Sequence, residues 1–400
     1  MISVRRTLSD EAHALWADGA GRALVVLATG WGLLVGSRMV YPVLLPHLRD
    51  SFALSLPQAG LLVSVLWLCA AIGQLPSGML ADAIPERTVM AASVLAVALS
   101  LGAVVLAPSV RVLFVATALW GLSHSLYPIA RITILAKIYR GRLGSALGVT
   151  MATGDVGQTI LPPVAITLAG VFAWQVGLGF VIPLLVVLGV ALYIVLPRTE
   201  TNGDGGDASS PPFRAVLVEL KRPGMAMMSA MLFLYIFLWQ SFTAFYPTYL
   251  ISIKGFSGAT AGLLFGLFFA VGIVMKPIAG AAYDRVGMRW SLISVLLPAL
   301  GGFALLPLID HLWGLIILTA MISVMLGSGA ITQSYLAHSF SESMRGTGLG
   351  VIRTGTATLG AAGPFVFGVI AGAGYFDEGY LLLALIMAAV ILLVTRIPER

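Results

Sequence analysis

The chain contains 400 residues, of which 59% are hydrophobic and only 10% are charged, and its formal net charge is +6. The charged fraction is far below the roughly 25% of an ordinary soluble domain, and the mean hydropathy of +0.99 is that of a membrane protein. These values exclude a soluble enzyme and a nucleic-acid-binding protein, because so little charge cannot cover a surface that faces water.

Apolar segments bounded by charges or by Pro and Gly clusters predict twelve membrane-spanning helices, since about 20 apolar residues are needed to cross a bilayer. The predicted spans are 23–47, 57–81, 88–107, 111–135, 144–171, 174–196, 224–250, 259–282, 290–309, 312–337, 346–373 and 379–396. The first span is too long for a signal peptide, so we expect it to be retained. The predicted fold class is therefore an all-α membrane protein.

The only long hydrophilic interruption between these spans is the segment 198–222, which we interpret as a cytoplasmic linker between two six-helix bundles, 1–197 and 223–400. If both termini lie in the cytoplasm, 16 of the 23 Lys and Arg residues lie in cytoplasmic segments, and only Arg49, Arg111 and Lys254 lie in external loops. This asymmetry predicts a multi-pass protein of the cell membrane with cytoplasmic N- and C-termini.

The chain aligns with itself at an offset of 202 residues. The segment Ala59-Gly60-Leu61-Leu62 matches Ala261-Gly262-Leu263-Leu264, and Asp82 matches Asp284. Six spans separate the copies, so the two halves have the same orientation and form parallel repeats, with a solute site expected between them. In the first span, Tyr41 could instead match Tyr246 at an offset of 205.

The loop after the eighth span carries a recognisable motif. The segment Gly280-Ala-Ala-Tyr-Asp284-Arg285-Val-Gly287-Met-Arg289 resembles the loop signature G-x-x-x-D-R-x-G-x-R of the major facilitator superfamily. The first-half copy, 78–87, is degenerate, with Ala83 and Pro85 in place of the basic residue and the glycine. The resemblance implies a transporter fold of two six-helix bundles. It also implies a gating role for the loop charges Asp82, Arg87, Asp284, Arg285 and Arg289. The alternative is that these charges merely end helices.

Four cationic residues lie inside predicted spans, against a single acid. The cations are Arg38, Arg131, Lys276 and Arg353, and the acid is Asp155. Four unneutralised cations at the centre of a bilayer would cost on the order of 10 kcal/mol. A water-filled cavity lowers this cost, and an anionic solute can neutralise the remaining charge. The imbalance therefore favours an anion transporter.

Each of these residues also has a purely structural interpretation. Arg131 could extend toward the lipid headgroups, Lys276 could simply pair with Asp155, and Arg353 could belong to a cytoplasmic gate. Arg38 could be held by a buried ion pair. At the offset of 202, Arg38, Arg131 and Lys276 coincide with Gln240, Gln333 and Gln74, so polar side chains recur at related positions of both halves.

We therefore predict a secondary transporter, not an enzyme, that moves a small organic anion such as a carboxylate by alternating access with proton symport. Anion exchange and proton-driven efflux of amphipathic drugs are alternatives within the same architecture, and a non-transporting sensor or scaffold is the alternative from another class. Asp155 and His124 are the candidate proton carriers, because a buried carboxylate and an imidazole can both titrate near neutrality. The candidate substrate-binding residues are Arg38, Lys276, Arg353, Arg131, Gln240, Gln333, Tyr41 and His124.

The expected partners are the anion, protons and the lipid bilayer, without nucleic acid, and the chain is expected to act as a monomer. No nucleotide-binding loop of the form G-x-x-x-x-G-K-[ST] is present, so ATP-driven transport by this chain is not expected. The sequence likewise shows no metal-ligand cluster, and no cofactor or metal is predicted. The segment Gly154–Pro163 lacks the Gly-Pro core of the drug-antiporter motif, which argues against the efflux alternative.

Overall fold

The computed structural model describes residues 16, 20–74, 77, 80, 84–139, 142–198, 222–340 and 342–398. Asp82 and nearly all of the predicted linker, 199–221, lie outside this part of the chain. The described residues contain no β-strand, and the all-α fold class is confirmed. The residue boundaries of the two six-helix bundles, 1–197 and 223–400, stay a prediction.

The helices of the first half are α1 (Ala20–Phe52), α2 (Leu56–Ile72), α3 (Glu86–Val105), α4 (Val110–Ile138), α5 (Leu143–Val171), α6 (Trp174–Gly179) and α7 (Val181–Val195). Those of the second half are α8 (Pro223–Ser252), α9 (Gly258–Leu305), α10 (Leu312–Ser323), α11 (Ser328–Ser339), α12 (Glu342–Gly360), α13 (Gly363–Gly372) and α14 (Phe376–Arg396). Short 3₁₀ turns, Leu306–Leu308 and Val324–Gly327, follow α9 and join α10 to α11.

Nine helical segments of the described chain are long and apolar enough to cross a membrane. One of them, Gly258–Leu308, covers two predicted spans, 259–282 and 290–309. The two spans meet at Gly287, whose φ of 76° lies in the left-handed region that glycine adopts without steric cost. Together with the shorter α2 and the more polar α5, the segments accommodate the twelve predicted spans.

The internal repeat is visible in how the helices begin. Ser55 caps α2 and Ser257 caps α9, each by accepting a hydrogen bond from a backbone N–H in the first helical turn. Ser109 caps α4, and the side chain of His311 caps α10 in the same way. Both pairs are separated by 202 residues, so this offset relates α2 to α9 and α4 to α10.

The first helix of each half follows a different offset. The Tyr41 hydroxyl is 2.6 Å from the Thr117 hydroxyl and joins α1 to α4. In the second half, the Tyr246 hydroxyl bonds Thr319 and joins α8 to α10. Thr117 and Thr319 are 202 residues apart, whereas Tyr41 and Tyr246 are 205 apart. The offset of 205 therefore relates α1 to α8, and Arg38 corresponds to Thr243 instead of Gln240.

The two halves are sealed together at one side of the membrane. We call the side at which α1 begins and α14 ends the terminal face, and the opposite side the far face. Near the far face, a Cβ added to Gly60 of α2 would lie 2.2 Å from the carbonyl oxygen of Pro364 in α13. The backbone N–H of Phe365 also donates to Ser64 at 3.0 Å. Such a close approach of two helices requires a residue without a side chain.

A related contact joins the other two helices of the seal. Added to Gly262 of α9, a Cβ would lie 2.5 Å from Ile166 of α5 and 3.2 Å from the Cα of Pro163. Toward the terminal face the described residues show no such close approach at four glycines, because a Cβ on Gly144, Gly148, Gly280 or Gly350 would meet nothing within 4 Å. Within the described part of the chain, the structure is thus closed at the far face and open toward the terminal face.

Candidate functional site

A cavity of about 300 Å³ lies between the two halves, on the terminal-face side of the seal. It is lined from α1, α2 and α4 of the first half and from α8 and α12 of the second. Its polar lining consists of Arg38, Gln74, His124, Ser125, Gln240 and Arg353. The structure therefore brings together Arg38, His124, Gln240 and Arg353, four of the predicted binding residues. None of the described residues that line it is acidic.

Arg38 is held in this cavity by an aromatic ring. Its guanidinium carbon lies 4.0 Å from the centroid of Trp67 on α2. Trp67 in turn makes an edge contact with Trp239 on α8, with ring centroids 5.2 Å apart and planes at 74°. Stacking occupies the face of a guanidinium and leaves the N–H groups at its edge available. Arg38 thus stacks on Trp67, which Trp239 of the other half contacts, and no described residue forms an ion pair with Arg38.

A second guanidinium is stacked in a similar way within the first half. Arg131 lies 3.9 Å from the ring centroid of Trp31 and donates a hydrogen bond to Thr150 at 3.3 Å. It is buried and does not extend to the headgroups. Trp31 lines the cavity, whereas Arg131 does not. Arg131 therefore contacts the cavity only indirectly, through the ring of Trp31.

Several polar atoms of the cavity wall have no hydrogen-bond partner among the described residues. They are Nε of Arg38, Nδ1 of His124, Nε1 of Trp239 and Oε1 of Gln240. His124 and Gln240 are buried, so bulk water does not readily satisfy them. Buried polar groups normally have partners. Four polar groups around one cavity are therefore left for a bound solute or an ordered water to satisfy.

Lys276 lies outside this cavity and is already paired. Its Nζ is 2.5 Å from Oδ1 of Asp155, which also accepts a hydrogen bond from Gln158. Asp155 is on α5 and Lys276 on α9, so this ion pair crosses between the halves. The structure thus does not bring Lys276 to the other predicted anion contacts.

Two further predicted binding residues also lie away from the cavity. Tyr41 is completely buried, with its hydroxyl bonded to Thr117 and its ring against Trp120. Gln333 is exposed on α11 and does not line the cavity. Tyr41 therefore joins α1 to α4 within the first half. Gln333 does not line the cavity that four of the other candidate residues share.

The charges of the predicted gating loops make separate contacts. Arg87 lies 4.8 Å from the ring centroid of Tyr193 on α7. Arg289 donates a hydrogen bond at 3.0 Å to the carbonyl of Ile397, just after α14. Asp284 and Arg285 are exposed at the terminal face, beside the bend at Gly287. Their gating role stays a prediction.

The indole rings were missed in the sequence analysis, although a signal for them exists. Trp31 precedes Arg38 by seven residues, and Trp67 precedes Gln74 by seven residues. Residues seven apart lie on one face of a helix, so each indole shares a face with a polar residue. Trp239 directly precedes Gln240. Charged and amide side chains alone are therefore an incomplete guide to a site within apolar spans.

Comparison with known proteins identifies the family. The sequence profile of the Major Facilitator Superfamily matches residues 26–332 and 228–400. The chain belongs to this superfamily. It is therefore a multi-pass membrane transporter and not an enzyme, and the predicted resemblance is confirmed.

Within the Major Facilitator Superfamily, the chain is similar to proteins that carry different solutes. The probable nitrate transporter NarT of Staphylococcus haemolyticus (strain JCSC1435) is 21% identical over 316 residues, which cover 76% of this chain and 78% of NarT. A bacterial homologue of the human lysosomal transporter Spinster, in an inward-facing and occupied conformation, has a TM-score of 0.78 at 16% identity and covers 94% of this chain and 97% of that one. The nucleoside transporter NupG has a TM-score of 0.78 at 14% identity, with coverage of 94% and 98%. These structural likenesses show the superfamily fold, and the solutes of the relatives differ.

Proposed function

We propose that the protein moves a small organic anion, in the first place a carboxylate, across the cell membrane by alternating access. The observation that carries the proposal is the cavity between the halves, which two guanidinium groups line while none of its described lining residues is acidic. Arg38 and Arg353 belong to different halves. An anion bound to both guanidinium groups would link the two halves. Binding would then be coupled to the relative movement of the halves that alternating access requires.

The electrostatics of the site support an anion over a cation. Uncompensated cations inside a membrane are costly, and a bound carboxylate would accept charge-assisted hydrogen bonds from them. A cationic drug would add a third positive charge to the same cavity. The similarity to a probable nitrate transporter also agrees with a negatively charged substrate.

We further propose that proton coupling uses the pair of Asp155 and Lys276. The pair joins α5 of the first half to α9 of the second half, and we call the contact between these two helices the seam. Protonation of Asp155 would remove the attraction to Lys276 and would ease the separation of these helices. A proton taken up at Asp155 would in this way favour one of the two conformations. Because Asp155 lies outside the cavity, the proton and the anion would bind at different places.

We also propose an orientation of the protein in the membrane. The terminal face is proposed to be cytoplasmic, because the excess of basic residues lies in loops on that side. The structure open toward this face would then present its cavity to the cytoplasm. A fusion of a reporter that is active only in the cytoplasm to the C-terminus would test this assignment.

The substrate class is tested by ligand-induced thermal stabilisation of the purified full chain. The panel contains monocarboxylates, dicarboxylates, sugar acids, phosphate esters and cationic dyes. We expect stabilisation by one or more of the carboxylates, because a ligand that binds only the folded state raises its stability. Stabilisation by the cationic dyes alone would overturn the proposal and favour drug efflux.

Anion exchange is distinguished from proton symport by two flux measurements in proteoliposomes. In the wild type, an imposed inward proton gradient should drive accumulation of the carboxylate that stabilises the protein in the thermal assay. In Asp155→Asn, we expect counterflow of labelled against unlabelled carboxylate to continue while gradient-driven accumulation is lost. Unchanged accumulation in this variant would contradict the role of Asp155.

A further inference from the structure

The apolar wall of the cavity contains an unusual share of indole. Three tryptophan rings line the cavity, Trp31 and Trp67 from the first half and Trp239 from the second. The remaining apolar wall is formed by small or compact side chains, among them Ala70, Ala71 and Ile236. The three rings therefore offer flat apolar surface to a bound solute.

The hydrogen-bond donors of the wall lie beside these rings. Arg38 is stacked on Trp67, and its Nε has no partner among the described residues. The ring of Trp239 touches Trp67 edge to face, and Nε1 of Trp239 is likewise unpartnered there. An indole N–H and a guanidinium N–H are both obligate donors. A ligand whose carboxylate accepts from these donors would place its remaining atoms against the indole rings.

The size of the cavity leaves room for solutes larger than the smallest anions. Given about 30 Å³ for a water molecule in the liquid, a nitrate ion fills roughly 60 Å³. The cavity of about 300 Å³ is several times larger. A carboxylate with a six-membered ring attached fills far more of this space and covers the apolar wall.

We infer that the substrate is an aromatic monocarboxylate, with its carboxylate held between Arg38 and Arg353 and its ring against Trp67 and Trp239. The inference rests on the proposed function, because it requires an anion in the cavity. The indoles would then recognise the ring of the ligand. Trp239 becomes a specificity-determining residue through both its ring and its N–H.

Binding of benzoate and cyclohexanecarboxylate to the purified full chain, measured by calorimetry, tests this inference. The two ligands share a carboxylate on a six-membered ring and differ in aromaticity. Benzoate should bind about three- to ten-fold tighter, since aromatic pairs contribute beyond the area that they bury. Acetate, succinate and nitrate should bind more weakly than either.

Variants of the tryptophans sharpen the test. Trp239→Leu should reduce the preference for benzoate over cyclohexanecarboxylate to less than two-fold, and Trp239→Phe should keep most of the preference while weakening both ligands. The matched control is Trp313→Leu, at an exposed tryptophan of α10 outside the cavity, which should leave both affinities unchanged.

The outcomes separate this inference from the proposed function. Equal affinity for the two ring acids, or tighter binding of acetate, succinate or nitrate, would overturn the aromatic assignment and leave an anion transporter. An unchanged preference in Trp239→Leu would also overturn it. Binding of cationic dyes without binding of any anion would overturn both.

Discussion

Two regions between the halves each contain an intramembrane cation, and the two cations have opposite surroundings. In the cavity, Arg38 is stacked on an indole and has no carboxylate partner among the described residues. In the seam between α5 and α9, Lys276 is paired with Asp155 at 2.5 Å. The first arrangement leaves a positive charge available for a ligand, and the second uses the charge to join two helices. An intramembrane cation is therefore a functional signal only when its partners are known.

The largest effect is expected for removal of the available charge. Arg38→Gln should lower the affinity for a carboxylate substrate by about 10- to 100-fold, the range for a hydrogen bond to a charged group. Arg38→Lys should bind with intermediate affinity, because it keeps the charge but loses the planar stacking on Trp67. Calorimetry on purified variants measures both.

Gln333→Ala is the matched control for this prediction, because Gln333 is exposed and lies outside the cavity. It should bind the carboxylate as the wild type does. If Arg38→Gln bound the carboxylate with wild-type affinity, the binding site would lie elsewhere. The cation in the cavity would then be no more available to a ligand than the paired Lys276.

The next effect concerns the seal that closes the cavity at the far face. Gly60→Ala would place a methyl group 2.2 Å from the carbonyl oxygen of Pro364, so α2 and α13 must separate. We expect uptake to fall by about ten-fold and the amides of Gly363–Gly372 to exchange hydrogen faster, as measured by mass spectrometry. Gly262→Ala should be milder, because its closest contact at 2.5 Å is the Ile166 side chain, which can move.

Gly148→Ala provides the control for the seal, since its added Cβ meets nothing within 4 Å in this conformation. Its hydrogen exchange near the far face should equal that of the wild type. Equal exchange in Gly60→Ala and Gly148→Ala would show that the far-face contact is not what holds the halves together.

A smaller effect is expected from the paired region. Asp155→Asn should destabilise the folded protein by about 1–2 kcal/mol, less than the 3–5 kcal/mol of a fully buried pair. The discount follows because the Lys276 side chain is 34% exposed, whereas that of Asp155 is 11% exposed. Unfolding in detergent measures the difference. The double variant Asp155→Asn/Lys276→Gln should be more stable than Asp155→Asn alone, and a double variant that is less stable would contradict the pairing.

The smallest effect tests the symmetry between the halves. Tyr41→Phe and Tyr246→Phe each remove one hydrogen bond to a threonine of the same half. Each should lower the unfolding free energy by about 1 kcal/mol and leave carboxylate affinity unchanged. A loss of affinity in Tyr41→Phe would return Tyr41 to the binding site.

Much of the architecture could be predicted from the sequence, because long apolar segments and the loop motif are local features. The offset of 205 for the first helix of each half could not be chosen from sequence, since only the contact of Tyr41 with Thr117 decides it. The position of Lys276 was likewise open, because its partner lies 121 residues away. The seven-residue spacing could have placed Trp31 on the face of Arg38, but no spacing shows that Trp67 of another helix covers the guanidinium.

The central claim is that the cavity selects for negative charge. The most direct measurement compares the binding of carboxylates with that of their neutral amides, such as benzoate with benzamide and acetate with acetamide, to the purified full chain. The amides match the carboxylates in shape and differ in charge. The account predicts that carboxylates bind and that the corresponding amides bind at least ten-fold more weakly. Amides that bind as tightly as the acids would contradict it.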